Sequence, residues 1–348
     1  MGRIEGMFLL LFGCFLAQII ITIYAEVPSI IVFGDSSVDA GNNNHMITIA
    51  KSNFQPYGCD FYDSRPTGRF SNGRIATDFI SEAFGIRSII PAYLDPHYNM
   101  ADFAKGVSFA SAGTGFDNLT SAIMSVIPLW KELEYFKEYQ NKMRILFGAA
   151  EATKLLSEAL YLISLGTNDF LENYYALPFR PTVYSVEEYE NFLLVRARNF
   201  IIDLYNLGAR KISIAGLPPM GCLPLKRTQN YLICIHQYNL VASDYNVKLQ
   251  QLVRYLNQDL SGIQLVYSDI YNILLDIIKN PHSFGFEDGE RACCATGRYE
   301  MSYLCNKFNP FTCDYANKYV FWDSIHPSEK TNFIVAEHAF KTTLAGFR

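Results

Sequence analysis

Again and again along this chain a short apolar run breaks off at a cluster of small polar residues, and a longer amphipathic stretch comes next. Ile30 to Phe33 ends in Gly34-Asp35-Ser36, and Gly106 to Ala110 ends in Ser111-Ala112-Gly113-Thr114-Gly115. Leu160 to Leu165 ends in Gly166-Thr167-Asn168-Asp169, Lys211 to Ala215 in the proline-rich loop Gly216 to Pro224, and a fifth run covers Ile263 to Tyr267. Runs this short and mostly apolar, the first of them rich in β-branched residues, predict strands of a parallel sheet. Between them, Gly73 to Phe84, Ile127 to Ala149, Tyr189 to Leu204 behind the Ser185/Glu188 capping box, Tyr238 to Leu256 and Ile270 to Ile278 predict helices. Near the end, Tyr319 to Trp322 leads into Asp323-Ser324-Ile325-His326-Pro327, and Pro327 is expected to begin the last helix, through Phe340 and Leu344. Strand and helix in alternation imply right-handed crossovers and a parallel sheet sandwiched by helices.

In a parallel sheet every strand delivers its following turn to the same edge, which is where open α/β sheets hold their ligands. Ser36, Gly113 and Asn168 therefore converge although they are far apart in sequence. Acyl transfer through serine needs a base for the hydroxyl proton, an acid to orient that base, and donors aimed at the oxyanion. Asp323 and His326, three apart in a turn, fit the acid and the base. The Asn168 side chain and the backbone N–H groups of Ser36 and Gly113 fit the oxyanion, with Ala112 as an alternative to Gly113. Taken singly, these are ordinary strand-closing turns, an Asx turn and a helix-entry aspartate; only the combination points to chemistry. Asp35 and Asp39 lie too close to Ser36 for anything but holding the turn. The loop Pro66 to Asn72 either presents Arg69 to a ligand or is a solvated turn.

Half of the 348 residues are hydrophobic, enough for one large core, and no linker or repeat divides them, so residues 26–348 are read as one domain. The apolar run Met7 to Ile23, with Arg3 before it and Ile23-Tyr24-Ala25 as the cleavage site ahead of Glu26, reads as a secretory signal peptide over 1–25, with an uncleaved anchor as the alternative. No second span is expected downstream. The formal charge of -5 is scattered, which argues against nucleic-acid binding. An exported chain pairs most of its cysteines. Crowding of Cys293, Cys294, Cys305 and Cys313 suggests two disulfides pinning a loop, Cys222 with Cys234 would close a third, and Cys59 is then the odd thiol. The spacing of these cysteines is poor for zinc, and neither a metal nor another cofactor is expected. Asn118-Leu119-Thr120 is a glycosylation sequon if the chain is secreted.

Together these segments resemble the plant branch of the GDSL esterase/lipases, the SGNH hydrolases. The resemblance is carried by Phe33-Gly34-Asp35-Ser36 with Val38 to Asn43, by Phe109 to Gly115, by Gly166-Thr167-Asn168-Asp169 and by Phe321 to Pro327. It extends to Pro66–Gly73, Pro218–Pro224 and the Cys293-Cys294 pair. It implies a flavodoxin-like three-layer α/β/α sandwich on a mostly parallel five-stranded sheet, secretion, and metal-free hydrolysis of small-molecule or lipid carboxylic esters. By that likeness Ser36 is the nucleophile, His326 the base, Asp323 its partner, and Gly113 and Asn168 oxyanion donors. The same residues would serve transfer of the acyl group to another hydroxyl, and a chain that kept the fold without turnover would be a binding protein. Two departures stand out: Ser37 replaces the leucine that names the family, and Ala295 stands where a glycine commonly follows the cysteine pair. The GxSxG elbow of α/β-hydrolases is also absent, because Val38 occupies its last position.

Overall fold

A computed structural model describes residues 27–347; the expected signal peptide lies outside the described residues. Five strands, β1 (Ile30–Gly34), β2 (Gly106–Ser108), β3 (Leu160–Ser164), β4 (Lys211–Ala215) and β5 (Gln264–Ser268), form one sheet in the order β2-β1-β3-β4-β5. Every pairing in it is parallel. The helices that return the chain are α1 (Ala76–Ala83), α2 (Met100–Phe103), α3 (Asn118–Met124), α4 (Leu129–Phe147), α5 (Ala149–Glu158), α6 (Val186–Asn206), α7 (Pro224–Thr228), α8 (His236–Asp259), α9 (Ile270–Lys279) and α10 (Glu329–Thr342). This is the expected three-layer α/β sandwich.

The two-residue period of a strand explains the layers. Ile31 and Phe33 of β1, Tyr161 and Ile163 of β3 and Ile212 and Ile214 of β4 pack on Phe136 of α4, Leu156 of α5, Phe200 of α6 and Leu249 of α8. Their neighbours Ile30, Val32, Leu160 and Leu162 turn the other way, onto Phe79 and Ile80 of α1 and Ala336 and Ala339 of α10. Strands apolar on both faces need both layers, and the helices supply them.

Three details depart from the sequence-based expectation. The helix expected over Ile127 to Ala149 stops at Phe147, and a separate helix begins at Ala149: α4 and α5 are parted at Gly148, whose φ of 82° ends the first. The last helix starts at Glu329, because Ser328 caps it by accepting the Thr331 N–H, and Pro327 stands just outside. A second, two-stranded parallel sheet joins β6 (Asp288–Ala292) to β7 (Tyr319–Phe321).

The cysteines pair as expected: Cys222–Cys234, Cys293–Cys313 and Cys294–Cys305. Among the described residues Cys59 is the free thiol, and burial beside Asp60 pushes it up to about 12. The two C-terminal disulfides anchor a small apolar cluster with Tyr57, Phe70, Ala112 and Trp322. That cluster holds the loop 293–313 over the carboxyl rim of the sheet.

Candidate active site

At the end of β1 the chain reverses. Asp35 donates its N–H to the Ser164 carbonyl, continuing the sheet by one bond, and Val38 N–H closes a turn onto the Asp35 carbonyl. Gly34 allows the reversal: its φ is +144°, and a Cβ there would collide with the Ser164 carbonyl. Ser36 sits in that turn, at the carboxyl edge of the sheet. Asp35 Oδ1 accepts the Ser37 N–H at 2.9 Å and the Ser37 hydroxyl at 2.7 Å, and Ser37 Oγ also meets Ser164 Oγ at 2.8 Å. A polar side chain at position 37 is thus fully used.

The opposite side of the site is the turn after β7. Trp322 N–H donates to the His326 carbonyl at 2.8 Å, and Asp323 Oδ1 accepts the N–H groups of Ile325 and His326 at 3.0 and 2.8 Å. With the turn so closed, His326 Nδ1 lies 2.8 Å from the Asp323 carboxyl oxygens and Nε2 lies 2.8 Å from Ser36 Oγ. Hydroxyl, imidazole and carboxylate form one row, with Asp323 and His326 both buried. Tyr57 donates its hydroxyl to Asp323 Oδ2 at 2.7 Å, and Phe70 packs on the imidazole with ring centroids 4.8 Å apart.

The oxyanion candidates also gather here. Ser36, Gly113 and Asn168 line one cavity of about 220 Å³ with His326. Neither the Ser36 nor the Gly113 N–H donates to another described group, and Asn168 gives one amide hydrogen to the Thr114 carbonyl at 3.0 Å, leaving the other. Ala112, the alternative donor, is excluded: its N–H is spent on Asp39 Oδ2 at 3.0 Å. Asp39 also accepts from Gly41 and Asn42, which makes it the turn-holding residue expected; burial nevertheless pushes its carboxyl up to about 6. Gly113 has φ +88°, a conformation that aims its N–H where a residue with a side chain would be strained.

Side chains from the other motifs stitch these turns together. Asn42 Nδ2 donates to the Ser108 and Ala110 carbonyls, and Asn43 Nδ2 to those of Ala50 and Ala112. Asp169 accepts the Phe116 and Asp117 N–H groups and the Thr120 hydroxyl, binding the Gly113 loop to the Asn168 turn. In the sequon, Asn118 is exposed while Thr120 is buried. Arg69 does not sit in a solvated turn. It is 3% exposed and forms a two-pronged ion pair with Asp78, at 2.7 and 2.9 Å, with further bonds to the Ala40 and Ile90 carbonyls. Four backbone and carboxylate acceptors around one guanidinium make it structural.

Two residues of the site escaped the sequence reading. Tyr57 stands 266 positions from Asp323, and no local pattern ties them. Glu172 does carry a signal, standing one turn beyond Asn168, and it faces the same cavity. Apart from these and Ser302, its walls include Ile49, Ala50, Met124, Met301, Tyr303 and Leu304. A smaller cavity of about 90 Å³ lies beside it, sharing Ser36, Asn168 and His326 and continuing to Leu165, Leu223 and Leu274. The two cavities meet at Ser36. Among the described residues no cluster of His, Cys, Asp and Glu could hold a metal ion, and no helix is long and apolar enough to cross a membrane.

The sequence profile of the GDSL-like Lipase/Acylhydrolase family matches residues 30–339. Three GDSL esterase/lipases of Arabidopsis thaliana are similar to the chain over most of its length. One is 60% identical, covering 93% of this chain and 93% of its own; a second is 54% identical over 100% of both; a third is 53% identical over 91% of both. A solved lipase from a goat rumen metagenome is similar over 92% of this chain and 96% of its own, at 12% identity and a TM-score of 0.40.

Proposed function

We propose, on the premise that the chain belongs to the GDSL-like lipase/acylhydrolase family, that this carboxylic ester hydrolase works through an acyl-enzyme on Ser36. The observation that carries the reading is the hydrogen-bonded row Ser36 Oγ, His326 Nε2, His326 Nδ1, Asp323, each contact 2.8 Å. Ser36 Oγ attacks the ester carbonyl as His326 Nε2 takes its proton. Asp323, held by two backbone N–H groups and Tyr57, fixes the ring so that Nε2 faces the serine and steadies the imidazolium that forms. Negative charge on the carbonyl oxygen is met by the Ser36 and Gly113 N–H groups and the Asn168 amide. His326 then gives its proton to the departing alcohol. Water enters, loses a proton to His326 and attacks the acyl carbon; collapse of that second adduct frees the acid and restores the Ser36 hydroxyl.

Secretion after removal of residues 1–25, leaving a one-domain hydrolase over 26–348, fits three paired sets of cysteines. A glycan on exposed Asn118 belongs to the same reading. Ser36→Ala is expected to cut ester turnover by about four orders of magnitude or more, as loss of a triad nucleophile does, and to abolish labelling by a fluorophosphonate. Turnover and labelling that survive the substitution overturn the assignment.

A further inference from the structure

One group in the site is unused by that chemistry. Glu172 lies in the short π-helical turn Asp169–Tyr174 that begins beside Asn168, and it lines the cavity of Ser36, Gly113 and His326. Its Oε2 is buried and has no hydrogen-bond partner among protein groups. Leaving a buried carboxyl oxygen unpaired is costly, more so if it is charged. Apolar pockets carry such groups where a few polar contacts must orient a ligand. Its surroundings narrow the ligand further. Lys226 and His326 are the cationic groups that act on it and Asp35 the anionic one, and burial with Asp35 pushes the carboxyl up to about 7. A carboxyl that spends much of its time protonated, with two potential cations nearby, is poorly suited to a positively charged substrate. It both donates and accepts, as a hydroxyl does.

We propose that Glu172 sets substrate specificity by hydrogen bonding a hydroxyl carried on the substrate near the scissile ester, so that the enzyme favours esters bearing a free hydroxyl over purely hydrocarbon ones. This rests on the reading of Ser36 as nucleophile. The magnitude is decided by an asymmetry: an apolar wall discriminates between analogues by about 10–200-fold, whereas a buried polar group left unpaired by the wrong substrate discriminates by up to about 10⁴-fold or more.

The test uses three esters of matched size: propyl butyrate, 2-hydroxyethyl butyrate with the hydroxyl on the alcohol, and propyl 3-hydroxypropanoate with it on the acyl chain. The quantity read is kcat/KM relative to propyl butyrate, in the full chain and in Glu172→Gln and Glu172→Met. One hydroxylated ester is expected to be preferred by at least about 10-fold, and which one it is tells whether Glu172 serves the alcohol or the acyl half. Glu172→Gln, which still donates and accepts, should keep most of the preference. Glu172→Met should lose it while raising the urea midpoint, because an unpaired buried carboxyl has been replaced by an apolar group. A ratio near one for both hydroxylated esters, or a preference that Glu172→Met retains, overturns the inference while Ser36-dependent turnover leaves the hydrolase reading intact. If Glu172→Met fails to fold, an intact wild-type preference must fall in Glu172→Ala, or the inference is overturned. Turnover that persists in Ser36→Ala overturns both.

Discussion

Tyr57 and Asp323, 266 residues apart, are joined by a buried hydrogen bond of 2.7 Å from the phenol to Oδ2, and the same phenol oxygen accepts the Ser302 N–H at 2.8 Å. One side chain thus connects the carboxylate behind His326 to the disulfide-anchored loop that walls the main cavity. Tyr57 touches no reacting atom; it is a positioning residue. Tyr57→Phe keeps the ring in its aromatic cluster with Phe70 and Trp322 and removes only these bonds. Because a hydrogen bond to a charged group contributes about 1.5–3 kcal/mol, kcat should fall by roughly 10- to 100-fold. KM should rise less. Steady-state kinetics on a butyrate ester decides, and an unchanged kcat would show that the two backbone donors hold Asp323 unaided.

Asn168 offers a cleaner separation of binding from chemistry. Its amide spends one hydrogen on the Thr114 carbonyl, so Asn168→Ala removes both that tether and the proposed oxyanion donor. Loss of one such donor ordinarily costs about 10²–10³ in kcat. Asn168→Asp supplies the control, since it keeps the size but places an acceptor at the oxyanion, and it should be at least as damaging as alanine. If kcat in Asn168→Ala stays within a few-fold of wild type while KM rises, Asn168 binds the substrate and does not stabilise the oxyanion.

Ala295 has a φ of +57°, the left-handed region that side chains disfavour, just after two disulfide cysteines. The conformation costs an alanine about 1–2 kcal/mol, and a glycine there regains part of it against its own loss of unfolded-state freedom, about 0.4–1 kcal/mol. Ala295→Gly is therefore expected to stabilise the chain by roughly 0.5–1 kcal/mol, the difference of those two terms. The readout is a higher urea midpoint at unchanged m-value, with disulfides intact. A lower midpoint would mean that chain entropy outweighs the strain.

What could be read in advance and what could not divides along a physical line. β1 and β3 were legible because a strand buried on both faces is apolar almost throughout, β4 by its alternating Ile212 and Ile214, and the turns after them by their small polar residues. Asp323 and His326 were legible as a local pair. The strand Asp288–Ala292 was not: Asp-Gly-Glu-Arg-Ala has no strand pattern, and it is made by pairing with Tyr319–Phe321 in a two-stranded edge sheet. Arg69 was misread because a cation in a Gly- and Pro-rich loop looks solvated until its partner, Asp78 on α1, is folded against it. Tyr57 belongs to the same class, since its bond to Asp323 spans 266 positions, whereas Glu172 stands one turn beyond Asn168 and only its unpaired oxygen was hidden.

Buried carboxyls make a last prediction, on stability against pH. Burial raises Asp39 to about 6, Asp169 and Glu172 to about 7, and Glu132, which is enclosed behind β1 with Oε2 on the Gly34 N–H, well above its ordinary value. In the unfolded chain these groups lose their protons near pH 4. Between that pH and each folded value the native state holds more protons than the unfolded one, so stability must fall as pH rises, by up to about 1.4 kcal/mol per pH unit for each group. Carboxyls drawn down by partners, such as exposed Glu138 and half-buried Glu300, act with the opposite sign but only below about pH 4.5. Urea midpoints should therefore decline from pH 5 to pH 8. Glu132→Gln keeps an acceptor for Gly34 and removes one titrating group, so it should match wild type at pH 4 and exceed it at pH 8. A wild-type midpoint flat from pH 5 to 8, or a Glu132→Gln curve parallel to wild type, would show that these carboxyls are ionised in the folded chain and held by their hydrogen bonds.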